Sequence, residues 1–198
     1  MLRPSAITAR VSPRPTLIIV SGPAGSGKTT LAHAIASAVG CPAICRDEIK
    51  EGMVHARRGD PTPFVARTGD ELTAGTLPVF FGVLEILLRA GVTTVAEAAF
   101  QDHVWRPRLE PLLGSAQLRI VHCVVDADVA RGRIVQRARD NPLRRAHADS
   151  RAVAHHAFNP ISLDVPSLKV DTTSGYRPGL DEIVAFINGP PGDGRDEA

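Results

Sequence analysis

One stretch constrains this chain more than any other: Gly22-Pro23-Ala24-Gly25-Ser26-Gly27-Lys28-Thr29. Its spacing is G-x-x-x-x-G-K-T, and its glycines let backbone amides turn inward around an anion with no Cβ in the way. Residues 16–20, Thr-Leu-Ile-Ile-Val, precede it as a β-branched apolar run and predict a buried strand. Residues 29–39 follow, rich in alanine, with Leu31, Ile35 and Val39 four apart and Gly40 as a stop, and predict a helix. The N-terminus of such a helix adds its partial positive charge to the glycine cradle. Lys28 is then placed to reach the β- and γ-phosphates of a nucleotide, and the Thr29 hydroxyl to ligate Mg²⁺. The bland alternative, a glycine-rich turn beside an unrelated lysine, explains neither the strand before the motif nor the helix after it.

The remaining pattern is alternating. Apolar runs at 41–45, 92–96, 118–125 and 167–172 predict four further strands. Helical spacing covers 48–56, 70–90, 102–113, 128–139, 149–158 and 180–187, with Pro78, Pro107 and Pro111 as interruptions. Such alternation predicts an α/β domain over 16–188, a parallel sheet with helices on both faces and ligands at the carboxyl ends of its strands. Residues 1–15 are expected to be a disordered arm and 189–198 a flexible tail. The Arg-, Gly- and Pro-rich stretch within 51–75 is expected to form a substrate cap.

Composition closes off some classes. With 43% apolar and 4% aromatic residues, the core should be mostly aliphatic, and a net charge of +2 gives no argument for nucleic acid or a membrane surface. No apolar run is long enough to span a bilayer, and residues 1–15 lack a secretory apolar region. Cys41, Cys45 and Cys123 are odd in number and contain no C-x-x-C pair, so a reduced, cytoplasmic setting is expected. A zinc site from Cys41, Cys45 and a histidine can be drawn on paper but is not expected, and His147, His155 and His156 read as surface residues.

The ordered motifs resemble the small P-loop kinases, nucleoside-monophosphate-kinase-like proteins that phosphorylate hydroxyls of metabolites, antibiotics or nucleic-acid ends. The resemblance is carried by residues 22–29, Arg46-Asp47, Val95-Ala96-Glu97-Ala98-Ala99-Phe100 with Trp105, Arg133 with Arg137, and Val170-Asp171-Thr172. It implies the P-loop NTPase fold, a five-stranded parallel sheet in the order 2-3-1-4-5, a lid, and ATP and Mg²⁺ as cofactors.

Roles follow from what phosphoryl transfer needs: positioning, metal and cations on the moving phosphate. Gly22, Pro23, Ala24, Gly25, Ser26, Gly27, Lys28, Thr29 and Thr30 are the expected nucleotide-phosphate contacts. Asp47 is the candidate base, or metal ligand through water, with helix capping as its structural alternative. Glu97 is placed to face Mg²⁺ or the acceptor, with a structural bond to the phosphate loop as the alternative. Asp102 is more simply a helix N-cap. Arg133 and Arg137 fall on one helix face at the hinge of a lid over 137–149, with Arg144 and Arg145 beyond them. By the resemblance, Asp171 and Thr172 lie near the base of the nucleotide. His55, Arg57, Arg58, Arg67 and Asp70 are available to an acceptor pocket, and the arginines suggest an anionic acceptor. The expected activity is an ATP-dependent kinase acting on a small-molecule hydroxyl. A polynucleotide 5′-hydroxyl kinase, and a non-kinase nucleotide-binding or toxin-like module, are the alternatives. The scarcity of aromatic residues counts against a strand-binding groove.

Overall fold

The computed structural model describes residues 14–56, 69–140 and 158–190. Five strands, β1 (Thr16–Ser21), β2 (Ala43–Cys45), β3 (Thr94–Glu97), β4 (Gln117–Val124) and β5 (Ser167–Asp171), form one sheet in the order β2-β3-β1-β4-β5. Every adjacent pair is parallel. The connections carry α1 (Lys28–Val39), α2 (Arg46–Ala56), α3 (Gly69–Arg89), α4 (Asp102–Leu109), α5 (Ala127–Asp140) and α6 (Leu180–Asn188).

The alternation of β1 divides the core into two layers. Leu17 and Ile19 pack with Phe80, Leu84 and Leu88 of α3 and with Trp105 and Leu109 of α4. Ile18 and Val20 pack on the other side with Leu31 and Ile35 of α1 and Ile183 and Ile187 of α6. Each fully buried Leu, Ile or Phe in these layers contributes about 1.5–3 kcal/mol. The few aromatic residues are concentrated in the first layer, where Phe80, Phe81, Phe100 and Trp105 form one cluster and the Phe100 and Trp105 rings lie 4.7 Å apart. Among the described residues no helix is long and apolar enough to cross a membrane.

Several boundaries differ from expectation for identifiable reasons. Pro78 neither breaks nor splits α3, which runs unbroken over Gly69–Arg89. Its missing amide bond is offset by an apolar face that buries Phe80, Phe81, Leu84 and Leu88. The chain passes from β2 straight into α2, so Asp47 lies in the first turn rather than at the N-cap. There its charge complements the helix dipole. Asp102 likewise opens α4 inside the cap position, which Gln101 takes. Its carboxylate accepts the Ser162 amide at 2.9 Å and the Arg106 guanidinium, which together hold it below the ordinary aspartate range. The expected helix over 149–158, most of the cap and most of the lid, with Arg57, Arg58, Arg67, Arg144, Arg145, His147, His155 and His156, lie outside the described residues.

Candidate active site

The glycine loop connects β1 to α1 at the carboxyl edge of the sheet, beside the ends of β3 and β4. Its backbone is one that side chains other than hydrogen resist. Gly25 has φ +77°, and a Cβ there would meet the Ala130 carbonyl oxygen at 2.6 Å. Gly22 has φ +157°, and a Cβ there would lie 2.7 Å from the Cys123 carbonyl oxygen. The sequence Gly-x-x-Gly therefore answers to close packing against β4 and α5 as well as to an inward-facing amide cradle. Gly27, at φ +74°, sits at the N-cap of α1 with no side-chain cap. The first amides of α1 are thus open to an anion. The buried Ser26 hydroxyl has no hydrogen-bond partner among the described residues, which also fits a ligand with acceptor oxygens.

Behind the cradle stand Lys28, Thr29 and Glu97. Alternation along β3 turns Val95 into the α1-side layer, and Glu97, two residues on, follows it to the same face. The Thr29 hydroxyl donates to Glu97 Oε2 at 3.0 Å, and Lys28 Nζ lies 3.6 Å from Glu97 Oε1. Glu97 is almost wholly buried, and that burial pushes its carboxyl above the ordinary glutamate range. Lys28 pulls in the opposite direction, and the nearby Asp47 adds to the rise. A buried carboxylate paired to one ammonium and one hydroxyl is poised to gain a stronger cation.

Asp47 reaches the same edge from β2, whose Cys45 pairs in register with Glu97. Its carboxylate is part-exposed and accepts Arg46 Nη1 at 3.2 Å. One turn further along α2, Lys50 is buried and makes no ion pair or hydrogen bond among the described residues. Sequence reading passed over it, although a lysine three residues after the candidate base shares its helix face.

Arg133 lies across the opposite wall. Its guanidinium donates to the carbonyls of Thr172 at 2.7 Å, Thr173 at 3.2 Å and Gly25 at 3.4 Å. Thr172 Oγ1 donates to Ser26 O at 2.7 Å, so the loop after β5 is tied to the glycine loop twice. Asp171, by contrast, turns its carboxylate to the Thr173 amide at 2.8 Å, a local turn bond that holds its carboxyl below the ordinary range. Arg137 is half-buried one turn beyond Arg133 in α5. The structure therefore brings Lys28, Thr29, Glu97, Asp47, Arg133 and Thr172 to one edge. Thr30, in the first turn of α1, is exposed.

Comparison with known proteins agrees with this architecture. The profile of the family described as AAA domain matches residues 17–158. A solved structure from Chloroflexus aurantiacus, reported as a "putative kinase", is similar at a TM-score of 0.73 and 25% identity, covering 88% of this chain and 97% of that one. The APS kinase of Mycobacterium tuberculosis, solved with AMPPNP and APS, is similar at a TM-score of 0.57 and 15% identity, covering 90% and 100%. A sugar kinase from a Janibacter species is similar at a TM-score of 0.50 and 18% identity, covering 87% and 91%. No curated protein sequence matches the chain. With the glycine loop, the 2-3-1-4-5 parallel sheet and a profile match over most of its length, the chain belongs to the AAA domain family and has the architecture of the small P-loop kinases.

Proposed function

We propose that this P-loop kinase moves the γ-phosphate of ATP to a hydroxyl group of a small molecule. The observation that carries the reading is the convergence of Lys28, Thr29 and Glu97 behind an open helix N-terminus. ATP fits that cradle by the chemistry of its donors: inward amides, an unpartnered Ser26 hydroxyl and an ammonium. Mg²⁺ fits the hydroxyl and carboxylate oxygens of Thr29 and Glu97, with Asp47 near enough to act through water. When bound, the ion neutralises charge on the phosphate oxygens.

The chain's own residues then divide the work. Lys28 exchanges its contact with Glu97 for the β- and γ-phosphates. Asp47, exposed enough to meet an acceptor, orients the hydroxyl and receives its proton. Arg133 holds the glycine loop to the loop after β5, and with Arg137 it faces developing charge from α5. Glu97 borders the acceptor side as well as the metal. Arg57 and Arg67 belong to the proposed cap over that side. Phosphorus NMR tests the reading. A phosphomonoester signal rising in step with ADP supports transfer, whereas inorganic phosphate alone across candidate acceptors contradicts it.

A further inference from the structure

On the side of β2 that α1 covers, where Cys45 pairs in register with Glu97, three donors of different chemistry meet. His33 comes from the second turn of α1, Cys45 from the end of β2, and Glu48 from the first turn of α2. His33 Nε2 lies 2.7 Å from Glu48 Oε1 and 3.7 Å from Cys45 Sγ. One ligand atom from each residue lies within 4.8 Å of the others. We propose that His33, Cys45 and Glu48 form a binding site for a transition-metal ion of the Zn²⁺ type, adjoining the Mg²⁺ position at Thr29 and Glu97.

The distances suit such an ion. Bonds of about 2.0–2.3 Å in a tetrahedron separate donor atoms by roughly 3.3–3.7 Å. The sulfur–nitrogen pair already has that spacing. The imidazole and carboxylate need to part by about half an ångström to reach it, and their side chains, 51% and 47% exposed, are free to do so. The thiol is fixed by the sheet and buried, so the set has one rigid soft donor and two adjustable ones. Sulfur, nitrogen and oxygen together favour Zn²⁺ over Mg²⁺, which takes oxygen and dehydrates reluctantly. Three protein ligands leave a fourth position toward solvent, and the exposed pair gives an entry path. Binding exchanges the S–H bond for an S–metal bond, and the proton leaves to solvent.

The zinc site that could be drawn on paper from sequence, and was not expected, paired Cys45 with Cys41, but Cys41 is not part of the cluster. Helix α1 supplies the imidazole because it packs beside β2. That neighbour is invisible in a C-x-x-x-C spacing.

Metal retention tests the site on the full chain. Protein is incubated with Zn²⁺ in excess Mg²⁺, desalted, and assayed by elemental analysis; Co²⁺ loading is followed by absorption. The site predicts one Zn²⁺ retained per chain and a thiolate-to-Co²⁺ charge-transfer band. Cys45→Ser should remove both, and Cys41→Ser should keep both. His33→Ala and Glu48→Gln, at exposed positions that leave the fold intact, should each weaken Zn²⁺ binding by about 10–100-fold. Retention of no Zn²⁺, displacement by Mg²⁺, or Zn²⁺ binding unchanged in Cys45→Ser and His33→Ala would each overturn the site. Any of these would leave His33 and Glu48 as a surface ion pair.

Discussion

Thr29 and Glu97, 68 residues apart in sequence, share a hydrogen bond of 3.0 Å at the base of the phosphate cradle. The bond exists because β3 lies beside β1 and ends on the face that α1 covers. Replacing Glu97 by Gln keeps the shape and removes the charge. We expect Glu97→Gln to lower kcat by about 10²–10³-fold, the scale of losing a preorganised electrostatic group. Steady-state kinetics over a Mg²⁺ titration checks this. A kcat equal to wild type would leave Glu97 as a structural residue.

The same carboxyl predicts a pH effect on stability. Its folded value is raised, chiefly by burial, above the ordinary 4.5. Between those two values the folded state holds a proton that the unfolded state has released. Stability from this group therefore falls as pH rises from about 4.5 to the folded value, and stays lost above it. Melting temperatures of the ligand-free protein should show this decline relative to Glu97→Gln. Parallel curves for the two proteins would contradict it.

Two glycines of nearly equal φ separate strain from collision. Gly40 at φ +76° has nothing within 4 Å of an added Cβ, whereas Gly25 at +77° meets the Ala130 carbonyl oxygen at 2.6 Å. Gly40→Ala should cost about 1–2 kcal/mol, the strain of the left-handed region alone. Gly25→Ala should cost more than that and weaken ATP binding as the loop shifts. Urea denaturation and nucleotide titration read both. Equal costs would deny the collision.

Asp47 and Arg133 should respond in opposite ways. Asp47 is part-exposed and paired with Arg46, a contact worth about 0–1 kcal/mol. Asp47→Asn should therefore lower kcat by about 10²–10⁴-fold with little change in melting temperature or ATP affinity. A change confined to stability would leave only the helix-dipole role. Arg133 bridges three carbonyls with a planar fork that lysine cannot reproduce. Both Arg133→Ala and Arg133→Lys should lose about 1–3 kcal/mol of stability. Wild-type stability in both, with only turnover reduced, would make Arg133 a phosphate contact and not a clamp.

What could be read from sequence was what local pattern encodes. The glycine loop, the strand–helix alternation and the periodic faces of α1 and α3 all act over one element and its immediate neighbours. Strand order came only through the resemblance, since parallel neighbours are far apart in the chain. Glu97 could be suspected as a carboxylate ending an apolar strand, but its two partners depend on which helix covers that face. Asp47 as a cap was misplaced because β2 enters α2 with no intervening turn. Thr172 and Arg133 meet the glycine loop only through the adjacency of β1, β4 and β5. Lys50 shares a helix face with Asp47, but only its burial in the fold sets it apart from a solvated lysine.

Phosphate transfer itself is the most direct test. Wild-type protein and Lys28→Ala are incubated with γ-labelled ATP and Mg²⁺ over sugars, aminocyclitols, nucleosides, other small hydroxyl compounds and 5′-hydroxyl oligonucleotides. The account predicts label in a small-molecule phosphomonoester with wild type, and none with a folded Lys28→Ala protein. Label only in free phosphate across the panel, transfer only to oligonucleotides, or equal transfer by Lys28→Ala would contradict it.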